Sequence, residues 1–192
     1  MKDPSNTSAI LLAGGKSSRM GTSKAELDFH GVSLLQYQVE KLRRLGIEDI
    51  VVSGKATTME GVPFVPDVYP DRGPLGGIHA GLLAIKNASA LVISVDCPLI
   101  PAPFLQKLIA AHESGITLAA RDGVTEPLIG VYDKALAGLC QEILQGERTS
   151  VRRLHDAVGL STVDYEGDRR LLSGCNTPEE YREILAYERD PL

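Results

Sequence analysis

Cysteine is scarce in this chain: Cys97, Cys140 and Cys175 are the only three in 192 residues, and no two stand at CxxC spacing. An odd count without that spacing excludes a disulfide framework and a thiolate zinc site as organising features, and it suits a reducing compartment. Positive charge is not in excess. Lys and Arg number 20 against 25 Asp and Glu, and the net charge of −5 argues against nucleic acid as a partner. No apolar run approaches the length of a bilayer span, and the polar start from Met1 to Ser8 leads only into a short apolar stretch, unlike a secretory signal. A cytoplasmic protein with no membrane association is expected. Repeats and Pro/Ser-rich linkers are absent, so residues 1–192 are expected to form a single domain. Several catalytic signatures are missing too: HExxH, GxSxG and GxxxxGK[ST] do not occur, and Gly14-Gly15 fails the GxGxxG spacing.

What is present is an alternation of short apolar runs with helical periodicity. Ala9 to Leu12 reads as a buried strand ended by Gly14-Gly15. Leu35, Val39 and Leu42 then recur at helical spacing, with Gly46 where a C-cap glycine belongs. Ile50 to Val52 and Val62 to Val65 predict two more strands, Gly77 to Ile85 a helix, and Leu91 to Val95 the most apolar strand of all. Pro101 and Pro103 suit the first turn of another helix, and further helices are predicted around 134–144 and 150–158. Thr177-Pro178-Glu179-Glu180 carries the N-cap, N1 and N3 residues of a last one. This alternation predicts an α/β, Rossmann-like fold: a mainly parallel sheet with helices on both faces. Asp122-Gly123 between two extended runs predicts a small antiparallel insertion.

In such a sheet ligands bind beyond the carboxyl ends of the strands. The loop from Leu12 to Lys24 leaves the first strand there with paired glycines and three cations, Lys16, Arg19 and Lys24, and no acid. Glycines let the backbone approach an anion and the cations neutralise it, so a polyphosphate fits; a solvated basic turn is the plainer alternative. Asp96 closes the most apolar strand, where a lone carboxylate can hold Mg²⁺ beside substrate phosphates or simply cap the next loop. The Gly- and Pro-rich stretch from Pro66 to Ile78 can lie flat against a base, with Asp67 as acceptor, or be a long surface turn. His79 is expected behind the site and not as a ligand, and Cys97 as a small buried residue. Solvation is the expected role of Arg152 and Arg153, and Glu126-Pro127-Leu128 is explained as well by a strand start as by a pocket.

LAGGKSSRMGTSK at residues 12–24 resembles the LAGGxSxRMGxxK signature of Rossmann-like nucleotidyltransferases. With GPLGGI, DCPLIP, GERTSV and NTPEEY in order along residues 8–185, the chain resembles the molybdenum cofactor guanylyltransferase (MobA-type) family. That resemblance implies transfer of GMP from GTP to Mo-molybdopterin, giving the guanine dinucleotide cofactor and pyrophosphate, with Mg²⁺. By position it implies nucleotide binding by Leu12, Ala13, Gly14, Gly15, Lys24, Asp67 and Asp96, with Asp96 also the metal ligand. Arg19, Lys24 and Asp96 are the implied catalytic residues, and Asn176 the implied contact to the pterin side. GTP and Mo-molybdopterin are the implied partners, with cofactor-biosynthesis proteins or molybdoenzyme chaperones as protein partners. Two departures stand out: Ser53 where the family often has Asn, and Gly174 where an Asn-x-Asn pattern would begin. Asn176 has a second reading as part of the helix cap at Thr177.

The chemistry needs no protein nucleophile and no general base, because a phosphate attacking a phosphate is already ionised; positioning and charge neutralisation suffice. Competing functions are a cytidylyltransferase acting on the same pterin, a sugar-1-phosphate nucleotidyltransferase, and a catalytically silent nucleotide-binding paralogue. Retention of both Lys24 and Asp96 weighs against the last.

Overall fold

The computed structural model describes residues 3–14, 23–54 and 59–187. Along the chain come β1 (Ser8–Ala13), β2 (Asp28–Phe29), β3 (Val32–Ser33), α1 (Leu34–Arg44), β4 (Ile50–Gly54), β5 (Phe64–Val65), α2 (Pro74–Ala84) and β6 (Ser89–Ser94). They are followed by α3 (Ala102–Ala111), β7 (Ile116–Arg121), β8 (Val124–Asp133), α4 (Ala137–Gln145), α5 (Val151–Val158), β9 (Ser161–Asp164) and α6 (Pro178–Leu185). Seven strands form one sheet in the order β5-β4-β1-β6-β8-β7-β9. Six of them run in one direction and β8 alone opposes them, pairing antiparallel with both β6 and β7.

Strand alternation divides the core into two layers. Ala9, Leu11, Ile50, Val52, Leu91 and Ile93 face one side and pack under α1, α3 and α6. Ile10, Leu12, Val51, Ala90 and Val92 face the other, under α2, α4 and α5. Central strands buried on both faces read as unbroken apolar runs, which is why β1 and β6 were legible. Helices on both faces of a mainly parallel sheet are the predicted architecture. The helix signals hold as well: Ser33 caps α1, Gly46 follows it at φ +87°, and Thr177 and Glu180 form a reciprocal capping box on α6.

The predicted antiparallel portion is there, but it lies inside the main sheet. Asp122 and Gly123 both have positive φ, 51° and 76°, and make a two-residue turn that returns β7 directly into β8. A register shift at Leu118/Ala119 bends this ladder. Two features were not expected. One is a separate two-stranded sheet of β2 and β3, turned by His30 and Gly31 at positive φ. The other is β9, whose sequence, Ser161-Thr162-Val163-Asp164, buries only Val163 and so carries no apolar run. Among the described residues no helix is long and apolar enough to cross a membrane.

Candidate active site

Because six strands share a direction, β1, β4, β5 and β6 all finish at one end of the sheet. At Ala13↔Gly54 the last pair of the β1/β4 ladder brings backbone against backbone. Gly54 has φ +125°, and a Cβ there would overlap the backbone of Gly14, so no side chain can stand between the two strand ends. Beside them opens a cavity of about 520 Å³, whose walls include Leu12, Gly14, Ser53, Asp67, Gly77 and Ser94. Leu128, from the opposing strand β8, closes it on one side.

Asp67 projects into this cavity from the loop after β5, half-buried. Burial raises its pKa, and a hydrogen bond donated by Ser53 Oγ to Oδ1 at 3.3 Å lowers it again in part. A Cβ on Gly77, in the first turn of α2, would come within 3.0 Å of Ser53 Oγ and of Leu12 Cδ2. The glycine pair opening α2 thus lets the helix start press against Ser53 and Asp67. The Ser53 that departs from the family pattern is a cavity wall whose hydroxyl orients Asp67.

Behind Ser94, which lines the cavity, a second polar cluster forms. Ser94 Oγ donates to Asp96 Oδ1 at 2.5 Å, and Lys24 Nζ donates to Asp96 Oδ2 at 2.5 Å. The same ammonium donates to Asn176 Oδ1 at 2.8 Å. Three residues separated by up to 152 positions are thereby joined, Lys24 opening a short 3₁₀ turn, Asp96 following β6 and Asn176 preceding α6. The helix-cap reading of Asn176 holds, and its side chain is left for another partner. Its backbone N–H is taken by Glu180 Oε2 in the capping arrangement, while its side chain turns to Lys24.

Three hydrogen bonds hold the segment carrying Asp96, one from the C-terminal segment and two from α1. Cys175 N–H donates to the Asp96 carbonyl at 3.0 Å. From α1, Gln38 Nε2 donates to Cys97 O at 3.0 Å and Lys41 Nζ to Pro98 O at 2.9 Å, both side chains fully buried. These two residues were not singled out, since Gln and Lys on an amphipathic helix read as its solvent face. Their signal is the three-residue spacing that puts them on one side of α1. Gly174 matters as well: a Cβ there would sit 3.0 Å from Cγ and Oδ1 of Asp96. Cys97 and Cys175 lie alongside, and burial with the nearby Asp96 pushes the first thiol up and the second up to about 11, so neither is a nucleophile near neutrality.

Of the predicted residues, Leu12, Gly14 and Asp67 line the cavity, and Lys24, Asp96 and Asn176 make the charged cluster. Ala13 ends β1 with its side chain toward the opposite core layer, so it can offer a ligand only backbone. Gly15, Lys16 and Arg19 lie outside the described residues. Among the described residues no group of three or more His, Cys, Asp and Glu is arranged to hold a metal ion. A lone carboxylate fits Mg²⁺, which completes its shell with phosphate oxygens and water. His79 lies behind the cavity wall, buried against the Tyr69 ring; neither ring nitrogen has a partner among the described residues, and burial lowers its pKa. A second cavity of about 450 Å³ adjoins the first, sharing Asp71, Gly73, Pro74 and Leu128 and adding Arg72, Ser150 and Arg152. Glu126, whose pKa is raised by burial and lowered by Arg169, sits on the same β8 segment.

Comparison with known proteins places the chain in a family. A family profile described as "MobA-like NTP transferase domain" matches residues 9–158. A molybdenum cofactor guanylyltransferase of Rhizobium johnstonii is 36% identical over 192 residues, covering 93% of this chain and 91% of its own length. One from Xanthomonas euvesicatoria is 33% identical over 180 residues, covering 92% and 93%. Among solved structures, molybdopterin-guanine dinucleotide biosynthesis protein A from Archaeoglobus fulgidus shares the fold, with a TM-score of 0.76 at 20% identity over 93% of this chain and 96% of that one. A profile match over most of the chain and relatives this similar along nearly its whole length have one meaning: the chain belongs to the MobA-like family of nucleotidyltransferases.

Proposed function

We propose that this protein transfers GMP from GTP to the terminal phosphate of Mo-molybdopterin, releasing pyrophosphate, as a single-domain cytoplasmic enzyme. The observation that carries this is the Lys24–Asp96–Asn176 cluster, bonded through Ser94 to the wall of a cavity that Asp67 also lines. Asp67 suits a base that offers N–H donors to a carboxylate; the cluster suits phosphates that need cations. The cavity supports the nucleoside, with Asp67 oriented by Ser53 as acceptor for base or sugar donors. Gly14 and the strand-end backbone allow close approach of the chain to the ligand, and Leu12 supplies an apolar wall.

Asp96 is the residue that would hold Mg²⁺. When bound, the ion would polarise the α-phosphate and neutralise charge as the bridging bond to pyrophosphate breaks. Lys24 reaches the same phosphates from its 3₁₀ turn and offsets charge developing on the leaving pyrophosphate, a role the family motif extends to Arg19. Ser94, Gln38 and Lys41 keep the carboxylate and its loop in place while the substrates exchange. Asn176 faces the acceptor, and the adjoining cavity with Arg72 and Arg152 offers room and positive charge for a phosphorylated pterin. Proteins of cofactor biosynthesis, or chaperones of the receiving molybdoenzymes, are the protein partners such a reaction calls for.

Melting temperatures with GTP, CTP, ATP and NAD, each with Mg²⁺, test the assignment. A ligand at 100 times its dissociation constant stabilises the folded state by about 2.7 kcal/mol. For a chain of this length that is roughly 5–11 °C, expected largest with GTP. A larger shift with CTP moves the assignment to cytidylyl transfer, and a shift with NAD alone overturns it.

A further inference from the structure

Both oxygens of the Asp96 carboxylate are already engaged: Oδ1 by the Ser94 hydroxyl and Oδ2 by the Lys24 ammonium. Lys24 is held there by a second acceptor, Asn176 Oδ1, on a segment that itself bonds to the Asp96 backbone through Cys175 N–H. The cation is thus anchored to the position that a metal ligated by Asp96 needs. The carboxylate cannot turn away from the lysine to meet a metal elsewhere. Its backbone is tied to Cys175, its neighbours Cys97 and Pro98 are tied to α1, and only 12% of the Asp96 side chain is exposed. Lys24, on a flexible four-carbon stem, is the partner free to move.

We propose that Lys24 is a stand-in cation, occupying the Asp96 carboxylate so that divalent metal binds this protein weakly until a nucleoside triphosphate draws the ammonium away. The proposal rests on the reading of Asp96 as the metal carboxylate. A metal arriving alone must expel an ammonium it repels, and among the described residues it gains no cluster of acids in return. A triphosphate arriving alone gains Lys24 only by leaving the buried Asp96 charge with the Ser94 hydroxyl and without its cation. Arriving together they exchange partners: the metal takes the carboxylate and phosphate oxygens, and the ammonium moves from carboxylate to phosphate. Every charge keeps an opposite charge throughout. By linkage each ligand raises the other's affinity by the same factor. Gly174 permits the exchange, because a side chain there would press on the carboxylate from the side of the C-terminal segment.

The test is Mn²⁺ binding, followed by the electron paramagnetic resonance signal of the free ion, on the whole protein without nucleotide. Lys24→Gln is expected to bind Mn²⁺ about tenfold more tightly than the parent, and adding Asp96→Asn to it should abolish the gain. Lys24→Met, which keeps the apolar stem, gives the same comparison by a second route, with circular dichroism and melting temperature checking the fold of each variant. In the parent, an α,β-methylene analogue of GTP should lower free Mn²⁺ by more than the protein and the analogue do separately, and Asp96→Asn should remove that surplus. Equal Mn²⁺ affinity in the parent and both Lys24 variants overturns the proposal, as does a gain that survives Asp96→Asn. Loss of GMP transfer specificity with the Lys24 gain intact counts against the guanylyl assignment and leaves the stand-in cation in place.

Discussion

The two ends of the sheet carry similar residues to opposite effect. At the amino end, Asp49 Oδ2 accepts from Ser8 Oγ at 2.5 Å and from Lys86 N–H at 2.7 Å, and Ser8 Oγ in turn accepts from Asn87 N–H. Nearby, His112 joins Asp133 at 2.9 Å and Thr117 at 3.0 Å, and Thr117 joins Ser161. Lys134 Nζ there donates to the carbonyl of Ile85. These groups are fixed to backbone and to neighbouring strands, so their bonds close within the fold. At the carboxyl end, Lys24 and Asp96 also pair, but Asp96 is bonded to the cavity-lining Ser94, glycines replace side chains around the cavity, and the lysine is shared with an exposed asparagine. An acid–base pair whose partners are all structural stabilises the fold. One bonded to the wall of a cavity can exchange its partner for a ligand.

The sharpest way to break this comparison is to remove one acid from each end. Asp96→Asn should lower transfer by about 10³-fold or more, since losing a metal clamp costs several kcal/mol in the transition state, while the melting temperature stays close to the parent's. Asp49→Ala should do the reverse. It strips partners from Ser8 and from the Lys86 N–H between α2 and β6, destabilising by about 2–3 kcal/mol, or roughly 4–12 °C, with turnover per folded molecule unchanged. Steady-state kinetics and thermal melts on the same two variants read both effects.

A smaller contrast separates the lysines. Lys24→Ala should reduce kcat/KM by about 10²-fold through lost neutralisation of the phosphates. Lys134→Ala should leave kcat/KM unchanged and cost about 1 kcal/mol of stability. Comparable kinetic losses from both would mean that the two ends are not functionally distinct.

Asp67 sharpens the point from within the site. Burial holds its folded pKa above the ordinary carboxylate value, so the ionised form at neutral pH is destabilising and the penalty fades as pH falls toward the raised pKa. Asp67→Asn should therefore melt no lower than the parent at pH 7 while weakening GTP binding by about tenfold, measured by calorimetric titration.

The smallest effect is in the pH dependence of stability. His79 and His155 are buried with pKa values lowered by burial from 6.5. The unfolded chain takes up those protons first, so this contribution is complete above pH 6.5 and is lost as pH falls from there toward the lowered folded values. Melting temperatures should decline in that window. His79→Leu should flatten the decline at no cost in hydrogen bonds, because neither ring nitrogen has a partner among the described residues.

Much of this was legible before any coordinates. The apolar runs of β1 and β6, the cap residues of α1 and α6 and the Asp122-Gly123 turn each carry a local physical signal, and each formed where expected. β9 and the β2/β3 pair gave none: one is an edge strand with a single buried residue, the other two residues per strand. Gln38 and Lys41 were illegible for a different reason. Their types favour solvent, and only the packing of α1 over the Asp96 loop makes buried donors of them.

From the order of its residues alone, the chain settles that strands alternate with helices and that a cationic glycine loop, a glycine-rich helix start and a lone Asp all follow strands. Those are short-range matters, decided by periodicity, capping and the special backbone freedom of glycine. That Lys24, Asp96 and Asn176 meet at one point, that Ser53 orients Asp67, and that Gly174 leaves room beside a carboxylate are decided only when the sheet assembles. Hydrogen bonds and close approaches between residues tens to more than a hundred positions apart depend on strand order and register, and no local pattern encodes either.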